Sequence, residues 1–284
     1  MKHWLIQSSG LRRTDDMTTK LLNGLEQSGG TWSDFGVIPF TPEITNWENF
    51  PKADSYFVHC STKALRLLTE NKFKSTEIFV GAEENHANEL LAACRRGIFY
   101  DPARFDMSVY LKDLRRHLLN GRGEVVKLRD IMTTSFKTDK FIKPGRDLKL
   151  FTGGIVQGGT TFEEYLETIQ YDQHFQHSLD ENVIVADPVE ILAEWRFFVV
   201  SGKVAAGSQY RKFGKMHWTS DIPSYVYEEA KRMAGIYKPA KCFTMDLAMT
   251  GDLQIKIVEY NCINCSGLYN ANVGNLAFEL RWAR

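Results

Sequence analysis

The sequence predicts an α/β protein that turns to α+β in its C-terminal part. Three observations carry this. Apolar strand-like runs alternate with amphipathic helical runs over residues 1 to about 100, the pattern of a small layered domain with a mostly parallel sheet. Hairpin-like segments rich in β-branched and aromatic residues fill Ile191 to Arg211 and the stretch from Met245 to Asn261. A glycine-rich segment with two Gly-Gly pairs lies between these regions.

Taken in order, His3 to Gln7 reads as a first strand, Met17 to Gln27 as a helix and Gly36 to Phe40 as a second strand. Tyr56 to His59 and Ile78 to Val80 read as further strands, with helices over Thr62 to Glu70 and Asn88 to Arg95. After the breaker Tyr100-Asp101-Pro102, an amphipathic helix over Ser108 to Asn120 links the halves. Thr138 to Pro144 is a short apolar strand. Lys143 precedes Pro144, and the proline ring pushes it to extended geometry. Thr161 starts a helix that runs to Ile169, with Glu163 and Glu164 in the first turn, where the helix dipole favours anions. His174 and His177, among polar neighbours, read as a solvated segment rather than helical metal ligands. Ser224 to Ile236 is a further helix, and Asn272 to Arg284 closes the chain as another.

The chemistry concentrates late in the chain. Asp246 opens one strand, a Gly251-Asp252 turn follows, and the next strand alternates until Glu259 and Asn261. Those two lie two apart and share a face. Two carboxylates and an amide oxygen suit a hard cation such as magnesium, which keeps positions for water and substrate; solvated strand ends are the plainer reading. In the hairpin around Ser201-Gly202, Glu194 and Arg196 share a face that Lys203 of the partner arm joins. An arginine fixed on a strand presents a planar fork to phosphate oxygens, and a cross-strand surface salt bridge is the plainer alternative. Lys149 to Thr161 carries Gly153-Gly154 and Gly158-Gly159 around a short apolar run: either an anion-cradling loop or a hairpin with glycine ends. Its spacing is neither that of a Walker A loop nor that of a dinucleotide fingerprint.

In this order, the lysine-proline strand, glycine loop, Glu-x-Arg strand, Asp strand and Glu-x-Asn strand resemble the ATP-grasp superfamily over residues 125 to 284. The ending Glu259-Tyr260-Asn261-Cys262-Ile263-Asn264-Cys265-Ser266-Gly267-Leu268-Tyr269 is similar to small members related to the ribosomal-protein glutamate ligases. The resemblance implies two α+β subdomains clasping a nucleotide, preceded by an α/β domain that frames one wall of the substrate cleft. The segments would be 1–107, 108–187 (linker helix and central subdomain) and 188–284 (C-terminal subdomain with the metal site).

It implies site residues too. Lys143 would contact nucleotide phosphates, and Lys149 with Phe151, Gly153 and Gly154 would close over them. Ile184, Val185, Ala186 and Asp187 would form the hinge that binds adenine, and Glu194 would belong to the nucleotide site. Arg196 would steady the transferred phosphoryl group, with Lys149 and Arg211 as further catalytic groups. Arg211 and Asn264 would contact substrate or phosphate. Asp246, Glu259 and Asn261 would hold magnesium, two ions in all, with manganese able to substitute. The implied reaction is ATP-dependent amide or peptide bond formation between a carboxylate and an amine through an acyl-phosphate, releasing ADP and phosphate. The amine would belong to an amino acid, a peptide or a protein terminus. A phosphotransferase on the same fold and a non-catalytic nucleotide-binding module are the alternatives.

Composition sets the remaining bounds. The 284 residues are 43% apolar and 12% aromatic, enough for a sizeable core. Lys and Arg number 35 against 35 Asp and Glu, so no charge excess points to a nucleic-acid or membrane partner. Five cysteines, an odd and scattered set, point to reduced thiols in a cytoplasmic protein. Cys262 and Cys265 form one Cys-x-x-Cys without a second pair, which argues against a zinc site. The apolar N-terminal stretch is too short for a signal peptide, and no transmembrane span is expected.

Overall fold

Among the described residues the strands form three sheets, and the second and third enclose the cleft. The computed structural model describes residues 2–7, 16–37, 44–46, 50–69, 82–146, 150–169 and 179–283. The expected strand Ile78 to Val80, Lys149, and the His174 and His177 segment lie outside the described residues.

The first sheet has the order β3-β2-β1-β4, from β1 (His3–Gln7), β2 (Trp32–Val37), β3 (Ile44–Thr45) and β4 (Tyr56–His59). β1 pairs in parallel with both β2 and β4, and a parallel sheet needs cover on both faces. On one face, Trp4 and Ile6 pack with Leu21 and Leu25 of α1 (Asp16–Gln27). On the other, Leu5 and Val58 pack with Leu65 and Leu68 of α2 (Thr62–Thr69) and Leu90 of α3 (Ala82–Arg95). β2 begins at Trp32, ahead of the Gly36 start expected from its apolar run. Pairing of Trp32 with Trp4 and Phe35 with Gln7 sets this frame, a long-range constraint that a local pattern does not carry.

The linking helix α4 (Met107–Leu114) is capped by Asp106, whose carboxylate accepts from Ser108 N–H at 2.8 Å. It stops well short of Asn120. His117 and Leu119 instead form two 2.8 Å backbone hydrogen bonds with Ile257, so the chain extends the edge of the C-terminal sheet.

The second sheet, order β5-β8-β6-β7, is antiparallel: β5 (Glu124–Lys127), β6 (Lys140–Pro144), β7 (Gly154–Val156) and β8 (Asn182–Ala186). α5 (Leu128–Ile131) and α6 (Phe162–Leu166) cover it through Leu128, Ile131, Phe162 and Leu166. Thr161 and Glu164 form a reciprocal capping box at the start of α6, as the acidic first turn suggested, though the helix is shorter than expected.

The third sheet, order β11-β10-β9-β12-β13, comprises β9 (Ile191–Val200), β10 (Lys203–Lys212), β11 (Lys215–Thr219), β12 (Cys242–Thr250) and β13 (Ile255–Asn261). Ser201 and Gly202 turn the first hairpin with φ of 51° and 82°, the left-handed pair that matches strand twist. Trp195, Phe197 and Val199 face α7 (Ser224–Ala234) and α4 in a shared core. Burying each such side chain contributes about 1.5–3 kcal/mol. The opposite face of β9 divides in two. Phe198 and Val200 lie under α1 and α8 (Val273–Leu280), whereas Arg196 and Glu194, further back on the same face, line the open cleft. Asp246 sits mid-strand in β12, since that strand begins at Cys242. No helix among the described residues is long and apolar enough to cross a membrane.

Candidate functional site

The cleft of about 650 Å³ lies between the second and third sheets. Its floor is set by register: Arg196 of β9 stands opposite Asp246 of β12, and Asp246 opposite Glu259 of β13. Neighbouring strands thus deliver a cation and two carboxylates in a row. Arg196 grips Asp246 with both prongs, Nε to Oδ1 at 2.8 Å and Nη2 to Oδ2 at 2.7 Å. Lys143, on β6 of the facing sheet, reaches across the cleft and pairs with Oε2 of Glu259. Asn261 Nδ2 donates to the other oxygen, Oε1, at 2.8 Å. Each carboxylate therefore has a cation of its own, and the second pair ties one wall to the other.

The electrostatics follow from burial and pairing. Burial pushes the Glu259 carboxyl up, but Lys143 together with the Asn261 hydrogen bond more than offsets this and holds it at about 2. Burial raises Asp246 above the usual carboxylate range, with Arg196 opposing and the charge of Glu259 adding to the rise. Burial opposes the charge on Arg196, and Asp246 more than restores it, so the guanidinium stays a cation.

Glu194 is 6% exposed and is held by two donors, Tyr210 Oη at 2.8 Å and Arg211 Nη1 at 3.1 Å. A register shift in β10 between Gln209 and Arg211 lets both neighbours reach the same carboxylate. Tyr210 stacks on Tyr269, with ring centroids 5.0 Å apart, and the guanidinium of Arg196 lies 5.2 Å from the Tyr269 ring. Lys203 stands opposite Val200 and so on the face of Arg196 and Glu194, but it sits beside the hairpin turn, exposed and away from the cleft.

Among the residues singled out by sequence, Lys143, Phe151, Gly153, Glu194, Arg196, Arg211, Asp246, Glu259 and Asn261 all line the cleft. Gly153 has a steric reason to be glycine, since a Cβ there would lie 2.8 Å from Cβ of Lys143. Gly154 pairs with Ile142 beneath Tyr165 and does not line the cleft. Neither do Ile184, Val185, Ala186 and Asp187. The first three lie in β8, whose neighbours β5 and β6 engage it on both sides, and Asp187 pairs outward with Lys140 at 2.6 Å. Asn264 is also elsewhere. It is fully buried against β4 and the segment after α3, donating to Val58 O (2.7 Å) and Gly97 O (2.8 Å) and accepting from Phe99 N–H (2.8 Å). Cys262 packs in the same N-terminal core as Cys60 and Cys94, and all five cysteines are free thiols.

Tyr210 and Tyr269 were not foreseen as site residues. Tyr269 ends the Ser-Gly-x-Tyr motif, the one sequence signal that pointed to it, while the bulge that aims Tyr210 leaves no mark in the alternation.

The donor set fits magnesium. Asp246 and Glu259 face each other with Asn261 beside them, all hard oxygen donors, and each carboxylate oxygen now bonded to Arg196 or Lys143 marks where a metal would be accepted. Among the described residues no group of three or more His, Cys, Asp or Glu is placed to hold a metal. A cation here would thus draw on Asn261 and on oxygens from outside the protein.

The fold has known counterparts. The chain superposes on a D-alanine–D-alanine ligase from Bacillus anthracis with TM-score 0.55 and 12% identity, over 94% of this chain and 88% of that one. D-cycloserine synthetase DcsG gives TM-score 0.53 and 13% identity over 98% and 99%. A RimK domain protein ATP-grasp from Sphaerobacter thermophilus DSM 20745 gives 0.53 and 11%, again over 98% and 99%. Among curated proteins none matches the chain in sequence. The family described as ATP-grasp domain, R2K clade family 2, matches residues 121–277, more than half of the chain and all of the cleft's strands from β6 to β13. The protein belongs to the ATP-grasp superfamily, in family 2 of its R2K clade.

Proposed function

We propose that the protein is an ADP-forming carboxylate-amine ligase that makes an amide or peptide bond. The observation that carries this is the pair of cation-carboxylate contacts: strand register sets Arg196, Asp246 and Glu259 in a row on the cleft floor, and Lys143 meets Glu259 from the facing sheet. Phosphoryl transfer asks the protein for positioned charge more than for a nucleophile, and this cluster supplies both signs.

ATP and magnesium are the cofactors in this reading. Asp246, Glu259 and Asn261 would hold the metal, which when bound neutralises phosphate charge. Lys143 and Arg196, whose carboxylate partners then face the metal, turn to phosphate oxygens. The substrate carboxylate attacks the γ-phosphorus, an O–P bond forms, the bond to the β,γ-bridging oxygen breaks, and ADP leaves. An amine then adds to the acyl carbon, phosphate departs with the C–O bond, and the amine proton passes to solvent. Tyr210 and Arg211 fix Glu194, which in turn keeps the cleft wall beside Arg196 in place. Lys149, Phe151 and Gly153 are proposed to cover the phosphates. The same reading assigns 1–107 to a substrate wall, 108–187 to the central subdomain and 188–284 to the metal-bearing subdomain. The free thiols support a cytoplasmic location.

The test is calorimetric titration with a non-hydrolysable ATP analogue, with and without magnesium, on the wild-type protein and Glu259→Gln. Magnesium-dependent binding that the variant loses is the expected result. A folded wild-type protein that binds no analogue would overturn the reading, and ADP release with a carboxylate alone, leaving a stable phosphorylated product, would favour a phosphotransferase.

A further inference from the structure

The Cys262-x-x-Cys265 pair takes no part in the cleft chemistry, and the fold brings a third thiol to it. Cys60 follows β4 and precedes α2, and its N–H donates to Asn264 O at 2.8 Å. That bond lays the end of a strand of the first sheet against the short turn Ile263–Cys265. Hydrogen-bonded backbones run about 4.8 Å apart, inside the range of about 4.4–6.8 Å between Cα atoms that a disulfide spans. The side chains meet as well. The thiols of Cys60 and Cys262 each share a hydrogen bond with that of Cys265.

These thiols are not equivalent. Cys60, Cys94, Cys242 and Cys262 are buried, whereas Cys265 is partly exposed and open to a small oxidant. Cys262 Sγ is turned toward two oxygens, Phe99 O at 3.8 Å and Asn264 Oδ1 at 3.5 Å. For Cys60 the contact with Cys265 counts for more than burial in pushing its thiol up, so sulfur faces sulfur there. His59, the last residue of β4, feels the charge of Cys265. Burial holds its imidazole neutral, and its buried Nδ1 has no hydrogen-bond partner among the described residues, so a neutral base stands near the thiols.

We propose that Cys265 and Cys60 form an oxidation site, in which a peroxide converts the pair to a disulfide joining the first sheet to the segment between Asn261 and Gly267, and a dithiol reductant restores it. The Cys265 sulfur attacks one peroxide oxygen, the O–O bond breaks, and water leaves as a sulfenic acid forms. The Cys60 sulfur then attacks the sulfenic sulfur, the S–S bond forms and the S–O bond breaks, releasing a second water. Each thiol gives up its proton; the two sulfurs lose two electrons, and the peroxide oxygens gain them. The bridge acts on the cleft from outside it. Ser266 is fixed to Thr244 of β12 at 2.8 Å and Gly267 O accepts from Arg196 Nη1 at 3.4 Å, so a clasp at Cys265 restrains the chain that meets Arg196. The proposal stands apart from the ligase reading, since it needs neither nucleotide nor metal.

The experiment exposes the full, reduced protein to hydrogen peroxide, blocks the remaining thiols with iodoacetamide in denaturant, and maps linked peptides by mass spectrometry. The expected result is a Cys60–Cys265 cross-link, with two of the five thiols lost and then recovered with dithiothreitol. Cys60→Ser and Cys265→Ser are each expected to lose the cross-link, and Cys94→Ser and Cys262→Ser to keep it. Oxidation should also raise the urea midpoint of the wild-type protein, because the bridge closes a long loop in the unfolded chain, and leave that of Cys265→Ser where it was. No loss of thiols, oxidation to sulfinic acid without a cross-link, or a bridge between Cys262 and Cys265 as the main product would each overturn the proposal. Should Cys60→Ser fail to fold, Cys60→Ala replaces it, an apolar residue in place of a buried thiol.

Discussion

Replacing Lys143 by alanine removes the cation that crosses the cleft, and the consequence can be worked from Glu259. Its carboxyl titrates at about 2, against an ordinary value of 4.5. At about 1.4 kcal/mol per pKa unit, that depression has a ceiling of roughly 3 kcal/mol. The Glu259 side chain is 32% exposed, so solvent screening reduces the expected coupling to about 1–2 kcal/mol. The sign follows from the direction of the shift. A depressed folded-state value stabilises the protein fully above pH 4.5, and this contribution is lost as the pH falls through 4.5 toward 2. In Lys143→Ala the Glu259 carboxyl moves up, because burial, already its largest perturbation, is no longer opposed by the lysine. A double-mutant cycle of Lys143→Ala and Glu259→Gln by urea unfolding at pH 7 should return about 1–2 kcal/mol of coupling, shrinking as the pH is lowered below 4.5. Carboxyl-detected NMR should show Glu259 titrating higher in the variant. A coupling near zero at pH 7, or a Glu259 titration unmoved by Lys143→Ala, would refute the reasoning.

Two further substitutions probe the neighbours of this pair. Arg196→Lys keeps the charge and loses the two-pronged grip on Asp246, so single-turnover phosphoryl transfer should slow by about a hundredfold while analogue affinity changes little; an affinity loss with an unchanged rate would reverse the role assigned to Arg196. Asn264→Ala leaves the Val58 and Gly97 carbonyls and the Phe99 amide without partners in a buried site, which should cost about 2–4 kcal/mol in chemical denaturation; a loss under about 0.5 kcal/mol would show that the junction does not depend on this amide.

The cleft was legible where local chemistry and strand alternation agree. Glu259 and Asn261 share a face because they lie two apart on one strand, and Glu194 and Arg196 do so for the same reason. Alternation does not give register, so the pairing of Asp246 with Arg196 on one side and Glu259 on the other became visible only in the sheet. Bulges defeat it altogether. One extra residue in β10 brings Tyr210 and Arg211 together on Glu194, a convergence that no alternation pattern predicts. Asn264 misled for a different reason. It lies three residues beyond Asn261, but the short turn over Ile263–Cys265 carries it into the N-terminal core, where its amide has three backbone partners waiting. An apolar-polar pattern cannot distinguish a buried amide that staples backbone segments together from one that faces a substrate.

The same face of β9 explains why stability and the proposed chemistry are joined in this protein. Phe198 and Val200 anchor that face under α1 and α8, and the strand they fix carries Arg196 and Glu194 onward into the cleft without a loop between. A site built on rigid strands holds its charges where they are needed at no further ordering cost. The four charged groups on the floor sum to zero, two cations against two carboxylates, so none is buried without a partner. Under the ligase reading, a metal with a polyphosphate brings the matching opposite set, and the exchange leaves every charge paired throughout. Removing one member breaks that balance, which is why Lys143→Ala should register first as a titration change at Glu259 and only then as a loss of nucleotide affinity.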